Sequence, residues 1–197
     1  MSGARKRHDR EEVLLAAEAI IDRDGWLHLT MTALAADLDV KVPSLYNHVP
    51  NLEALRGELQ KRALQALGTE LNRAAMGRSG PTAMRALAAT FRRYAKEHPG
   101  RYDLAMREPV DPAGLAEATI DAGRALWAVI GSYGIDVTAE AAIELQVTVF
   151  AALHGVVVLE NASFFPAVVD IDAIYENVLG LVLGMLDGAV PPEARAS

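Results

Sequence analysis

The 197-residue chain has no cysteine. That excludes a disulfide framework and thiolate chemistry, and it fits a reducing compartment such as the cytoplasm. Histidine is sparse, at five residues, and none stands in a His-x-x-x-His or Glu-x-x-His pair. No Gly-rich phosphate loop precedes a helix, so the residues supply neither a metal site nor a nucleotide cradle. The acidic pairs Glu11-Glu12 and Asp170/Asp172 read as helix-start charges. The chain is therefore not expected to be an enzyme, and no catalytic residue, metal or cofactor is assigned. Met1 to Arg10 is polar, unlike a signal peptide. The longest apolar run, Val178 to Leu186, falls short of the roughly 20 residues that a membrane span needs, so no membrane partner is expected. There is no credible strand pair, no internal repeat and no low-complexity segment.

What the chain does have is apolar content, 51% of it, enough for a sizeable core. The formal charge of −7 argues at first against a nucleic-acid partner, but its distribution matters more than its sum. Residues 1–10 hold four Lys/Arg against one Asp, and residues 1–62 hold nine Lys/Arg against ten Asp/Glu. The acidity belongs to residues 63–197, with ten Lys/Arg against sixteen Asp/Glu. Ser2 to His8 is a short basic arm, readable as a solubilising tail or as a contact to phosphates or the minor groove.

The organising stretch is Thr30 to Leu55. Thr30 can cap a short helix, and Leu34, Ala35 and Leu38 give it an inward stripe. Asp39 tolerates a turn or left-handed conformation, and Val40 plugs the corner. Pro43 suits the first turn of a second helix, whose inward residue is Leu45. Lys41, Val42, Ser44, Tyr46, Asn47 and His48 are left near the exposed side or the ends. This is the grammar of a helix-turn-helix whose second helix enters the major groove.

The run Pro43-Ser44-Leu45-Tyr46-Asn47-His48-Val49, followed by Asn51-Leu52-Glu53-Ala54-Leu55, resembles the TetR family of transcriptional regulators. The match covers about the first third of the chain; the remainder fits by length and helical layout. The resemblance implies DNA contacts from Thr32, Val42, Pro43, Ser44, Tyr46 and His48. Tyr46 and His48 would donate to phosphates, while Val42, Pro43 and Ser44 would touch base edges, including thymine methyls. Lys41 and Asn47 join them as contacts to the backbone or a base. Two residues depart from the family pattern. Asp39 stands where Gly is usual, and Leu52 stands where Lys is common, which removes a phosphate contact.

Apolar periodicity continues beyond this stretch. Helix 1 spans Asp9 to Asp24, with Asp9 and Glu12 at capping-box spacing and Gly25 after its end. Trp26 is expected in the core. Helix 4 runs from Asn51 to about Met76 and helix 5 from Pro81. After a break at His98-Pro99-Gly100 a short helix 6 covers Arg101 to Arg107. Helix 7 opens at Asp111 or Pro112, helix 8 is capped by Thr138, and helix 9 by Asp170. The basic residues Arg85, Arg92, Arg93 and Lys96 are expected on a solvated face that pairs with acidic groups.

The expected fold is all-α, a nine-helix TetR-like architecture. Residues 1–50 are the helix-turn-helix DNA-binding domain, with helix 4 (51–76) as connector. Residues 77–197 form the ligand-binding and dimerisation domain. The partners implied are double-stranded operator DNA, a second copy of the chain and a small-molecule effector, apolar or aromatic. Candidate effector residues are Phe91, Tyr94, Tyr102 and Met106, with Trp127, Phe150, His154 and Asn161 farther along. Helix 8 is apolar on two sides and so needs two covers, its own core and a partner chain. Gly180 and Gly184 would allow a close helix approach there, alongside Val149, Val156, Val178 and Val182. The expected role is a ligand-responsive transcriptional regulator, most often a repressor in this family. The alternatives weighed are an all-helical enzyme and a protein-interaction module with a degenerate helix-turn-helix.

Overall fold

A computed structural model describes residues 8–190 of the chain; most of the basic arm lies outside them. Among the described residues there are nine α-helices and no strand. They are α1 (Arg10–Asp24), α2 (Met31–Asp37), α3 (Val42–Leu45), α4 (Leu52–Ala75), α5 (Gly80–Glu97), α6 (Pro99–Ala105), α7 (Pro112–Gly131), α8 (Glu140–Asn161) and α9 (Ile171–Ala189). Packing divides the chain into two compact units, one of residues up to Leu64 with His98–Ala118, the other of Gln65–Glu97 with Thr119 onward.

Local chemistry sets the ends of most helices. In α1 the capping box is complete: Glu12 N–H donates to Asp9 Oδ1 at 2.8 Å, and Asp9 N–H to Glu12 Oε2 at 3.0 Å. Gly25, at φ 87°, ends α1, its N–H bonded to the Ile21 carbonyl. Side-chain oxygens accept from the first turn of α2 at Thr30, of α4 at Asn51, of α7 at Asp111 and of α9 at Asp170.

Two starts differ from the sequence reading. The His98-Pro99-Gly100 break is the beginning of α6, because Pro99 has no N–H to satisfy and fits a first turn. Thr138 does not cap α8. Its N–H and hydroxyl both bond Asp136 Oδ1, at 2.9 and 2.6 Å, and the helix starts two residues later.

The core of the first unit is one cluster of Val13, Leu14, Ile20, Ile21, Leu29, Leu34, Leu45, Leu55 and Leu59, with Leu104 of α6. Burying each such side chain is worth about 1.5–3 kcal/mol. A Cβ on Gly100 would collide with the carbonyl oxygen of Ile21, so α6 lies directly on the backbone of α1. Gln60 of α4 is 1% exposed, yet its amide is fully used. It donates to the carbonyls of Leu104 and Glu108 and accepts from Val110 N–H, at 3.1, 3.2 and 3.2 Å.

In the second unit α8 and α9 pack together and both pack on α5. The core there includes Met84, Leu87, Tyr94, Val129, Ile130, Val149, Val157, Leu179 and Leu186. The basic face of α5 is paired, as its composition suggests. Arg92 bonds Glu160 at 2.7 Å and Asp172 at 2.6 Å, Arg93 bonds Glu70 at 2.8 Å, and Lys96 bonds Glu160 at 2.8 Å.

Candidate nucleic-acid interface

The helix-turn-helix is built around one strained residue. Asp39 has φ 52°, in the left-handed region that glycine usually fills. Val40 N–H bonds the Ala35 carbonyl at 2.9 Å, and its half-buried side chain packs on the core. Lys41 then adopts extended backbone, Pro43 occupies the first turn of α3, and Leu45 is buried at 1% exposure. With Leu45 turned in, helical geometry turns its neighbours out. Tyr46 is 52% exposed; Thr32, Lys41, Pro43, Ser44 and Asn47 are exposed, while Val42 and His48 are half-buried. All eight candidate DNA residues therefore belong to one unit, and none is sequestered. Leu52, in the place often held by Lys, is half-buried and packs on the core.

The base of this module holds a group of residues that the sequence does not reveal. Trp26 is half-buried, not fully internal. Its Nε1–H donates to Asp103 Oδ2 at 2.7 Å, and the guanidinium groups of Arg56 and Arg107 lie 5.2 and 5.4 Å from its ring centroid. Arg101 of α6 reaches Asp22 at 2.6 Å and Glu18 at 3.4 Å on α1. Glu18, itself buried, also accepts from Arg62 of α4 at 2.6 Å.

The candidate effector residues fall in both units. Tyr102, buried, and Met106, half-buried, belong with the DNA module. In the second unit Phe91 meets Phe150 edge-on at 5.9 Å, and Phe150 stacks on His154 at 5.2 Å. Tyr94 is 2% exposed, Trp127 is half-buried, and Asn161 is exposed, donating to the Ala95 carbonyl at 2.9 Å. Burial holds the His154 imidazole below its ordinary pKa. Tyr175, which periodicity does not single out, donates its hydroxyl to the Ala88 carbonyl at 2.7 Å, beneath Arg92. Burial pushes its phenol well above the ordinary range.

Of the residues considered for a partner chain, Val149, Val156 and Val182 are buried against the chain's own helices, and Val178 is half-buried. Gly180 and Gly184 are exposed, with open space where a Cβ would sit. The large apolar side chains left exposed on these two helices are Ile143, Val147, Phe150, Val158 and Leu159 of α8, and Leu181 of α9, the last 75% exposed. By length and composition alone, α8 is the one described helix long and apolar enough to cross a membrane.

A family model described as "Tetracyclin repressor-like, C-terminal domain" matches residues 84–182. The chain is 40% identical over 179 residues to an uncharacterised HTH-type transcriptional regulator of Mycobacterium tuberculosis, covering 89% of this chain and 81% of that protein. Its fold is similar to that of a TetR variant of Acinetobacter baumannii solved with minocycline. There the TM-score is 0.70 at 19% identity, over 93% of this chain and 99% of that one. It is also similar to apo ActR of Streptomyces coelicolor, with TM-score 0.66 at 20% identity, over 98% and 100% of the two chains.

Proposed function

The chain belongs to the TetR family of helix-turn-helix transcriptional regulators, and from that premise we propose that it is a ligand-responsive repressor. As a homodimer in the cytoplasm it binds a (pseudo)palindromic operator, and a small-molecule effector releases it. The observation that carries this reading is the outward array on α3 and the turn just after it: Leu45 buried, with Pro43, Ser44, Tyr46 and Asn47 all exposed. Residues 1–50 read the DNA, with Tyr46 and His48 on phosphates and Val42, Pro43 and Ser44 on base edges. Thr32, Lys41 and Asn47 complete the contact.

Residues 77–197 bind the effector and pair the subunits, and helix 4 (51–76) connects the two functions. The uncovered face of α8 and α9 supports pairing. A second copy laid on Ile143, Val147 and Leu181 removes their apolar surface from water, with Gly180 and Gly184 letting backbones approach. Phe91, Phe150 and His154 support an apolar or aromatic effector, with Tyr94 and Trp127 in the same unit. Tyr102 and Met106, two further candidates, belong to the unit that carries the helix-turn-helix. The effector acts only through its different affinities for the DNA-competent and released states.

The test is a mobility-shift assay on DNA flanking the chain's own gene, with the Tyr46→Ala variant beside it. Retardation that the variant loses supports the reading. Retardation that the variant retains in full, or none by the unsubstituted chain, counts against it.

A further inference from the structure

Gln146 of α8 is half-buried in the second unit, and among the described residues its amide has no hydrogen-bond partner. It lies against α7 at Gly123. A Cβ added there would stand 3.2 Å from Gln146 Nε2 and 3.9 Å from Trp127 Cδ1. The glycine thus leaves room around the amide beside a half-buried indole. Phe150 and His154 follow Gln146 at i+4 and i+8, so the three share one stripe of α8. Phe150 stacks on His154 at 5.2 Å with 15° between the rings, and Phe91 of α5 braces Phe150 edge-on at 5.9 Å. Phe150 nonetheless remains 38% exposed, so the braced rings still present apolar surface outward.

The groups along this strip are neutral. Burial holds the His154 imidazole below its ordinary pKa, so it is uncharged at neutral pH. Asp121 and Arg124, the charged neighbours of Gly123 in sequence, bind each other at 2.8 Å. A primary amide offers a carbonyl acceptor beside N–H donors, and an isolated polar group of this kind fixes a ligand's orientation in an otherwise apolar site. Aromatic side chains take flat rings by offset or edge-on contact. We propose that Gln146 is the specificity-determining residue of the effector site, and that the effector is a flat, uncharged aromatic molecule with a lactam- or carboxamide-like edge. The ligand N–H donates to the Gln146 side-chain carbonyl, and the ligand carbonyl accepts from the Gln146 amide N–H. The rings of Trp127, Phe150 and His154 hold the flat part; Gln146 reads the edge.

This inference rests on the reading that the second unit binds an effector. Its test uses the full chain free of DNA, so it fails or succeeds apart from the mobility shift. Two probes are titrated by ligand-observed NMR: carbostyril, a flat neutral lactam, and its O-methyl ether, the same bicycle without the lactam N–H and carbonyl. Carbostyril is expected to bind about tenfold more tightly, the scale of one good hydrogen bond. Gln146→Leu, close in size and with no internal hydrogen bond to lose, is expected to erase that preference and leave the ether's affinity unchanged. Phe150→Ala is expected to weaken both probes alike. Equal affinities for the two probes, or a preference that survives Gln146→Leu, overturn the role of the amide and leave an aromatic effector standing. Binding of neither probe overturns the site, and loss of subunit pairing in Phe150→Ala would then assign the strip to a second copy of the chain.

Discussion

The indole N–H of Trp26 donates to Asp103 across 77 residues of sequence, at 2.7 Å. Asp103 also accepts from Arg107, which lies over the same ring. The bond ties α6 to the segment just after α1, so α6 is part of the body that carries the recognition helix. Removing a carboxylate partner from a half-buried donor costs about 1–2 kcal/mol. Asp103→Ala is expected to destabilise the chain by that amount and to shift Trp26 emission to longer wavelength. Denaturant unfolding followed by fluorescence in a Trp127→Phe background measures both.

Leu45 and Tyr46 are adjacent in sequence and opposite in role. Leu45→Ala leaves a cavity in the helix-turn-helix core and is expected to cost about 2–4 kcal/mol. Tyr46→Ala alters an exposed side chain and is expected to change stability by less than about 0.5 kcal/mol. Thermal melts of the two variants check the contrast; equal losses would place Tyr46 inside.

Gly100 sets two effects against each other. In an open helix Ala would be favoured by about 1 kcal/mol. Here the added Cβ meets the carbonyl oxygen of Ile21, a backbone atom that cannot rotate away. Overpacking of this kind costs roughly 1–3 kcal/mol, so Gly100→Ala is expected to destabilise. A raised melting temperature would show that α6 can lift from α1.

Stability should fall on the acid side in two stages. Burial holds His154 below its ordinary pKa, so as pH drops through about 6.5 the unfolded chain takes the proton before the folded one does. Hydrogen bonds from Arg92, opposed by burial and aided by Lys96, hold Glu160 below the ordinary carboxylate range. Its contribution is complete above the unfolded carboxylate pKa and disappears as pH falls through the lowered folded value. His154→Leu is expected to flatten the melting temperature between about pH 7 and 5.5 while leaving the steeper loss below about pH 4. A variant whose melting temperature still falls as steeply between pH 7 and 5.5 would show that His154 is not its source.

Much of the fold is legible where chemistry is local. Asp9 with Glu12, Thr30 and Asp170 cap as their spacing implies, and Leu34, Leu45, Leu55 and Leu59 are buried as their periodicity implies. Asp39 shows both what is usual and what is particular, because a left-handed turn favours Gly but admits Asp. What escapes is what depends on distant partners. Gln60 looks like any polar residue on a long helix, yet three backbone groups some 44 to 50 residues away satisfy its amide. The anchoring of His8 at Leu38 has no local signature either. Helix α8 is apolar on both sides, and periodicity cannot tell the side covered by the chain itself, with Val149 and Val156, from the uncovered side, with Ile143 and Val147.

The most direct measurement is a hydroxyl-radical footprint on a duplex selected by the full chain. Two protected segments are expected, centred about 34–36 Å or a multiple of that apart along the DNA, and both should vanish in Tyr46→Ala. A single unpaired segment, or a pattern unaltered by that substitution, would contradict a paired recognition helix with Tyr46 on the duplex.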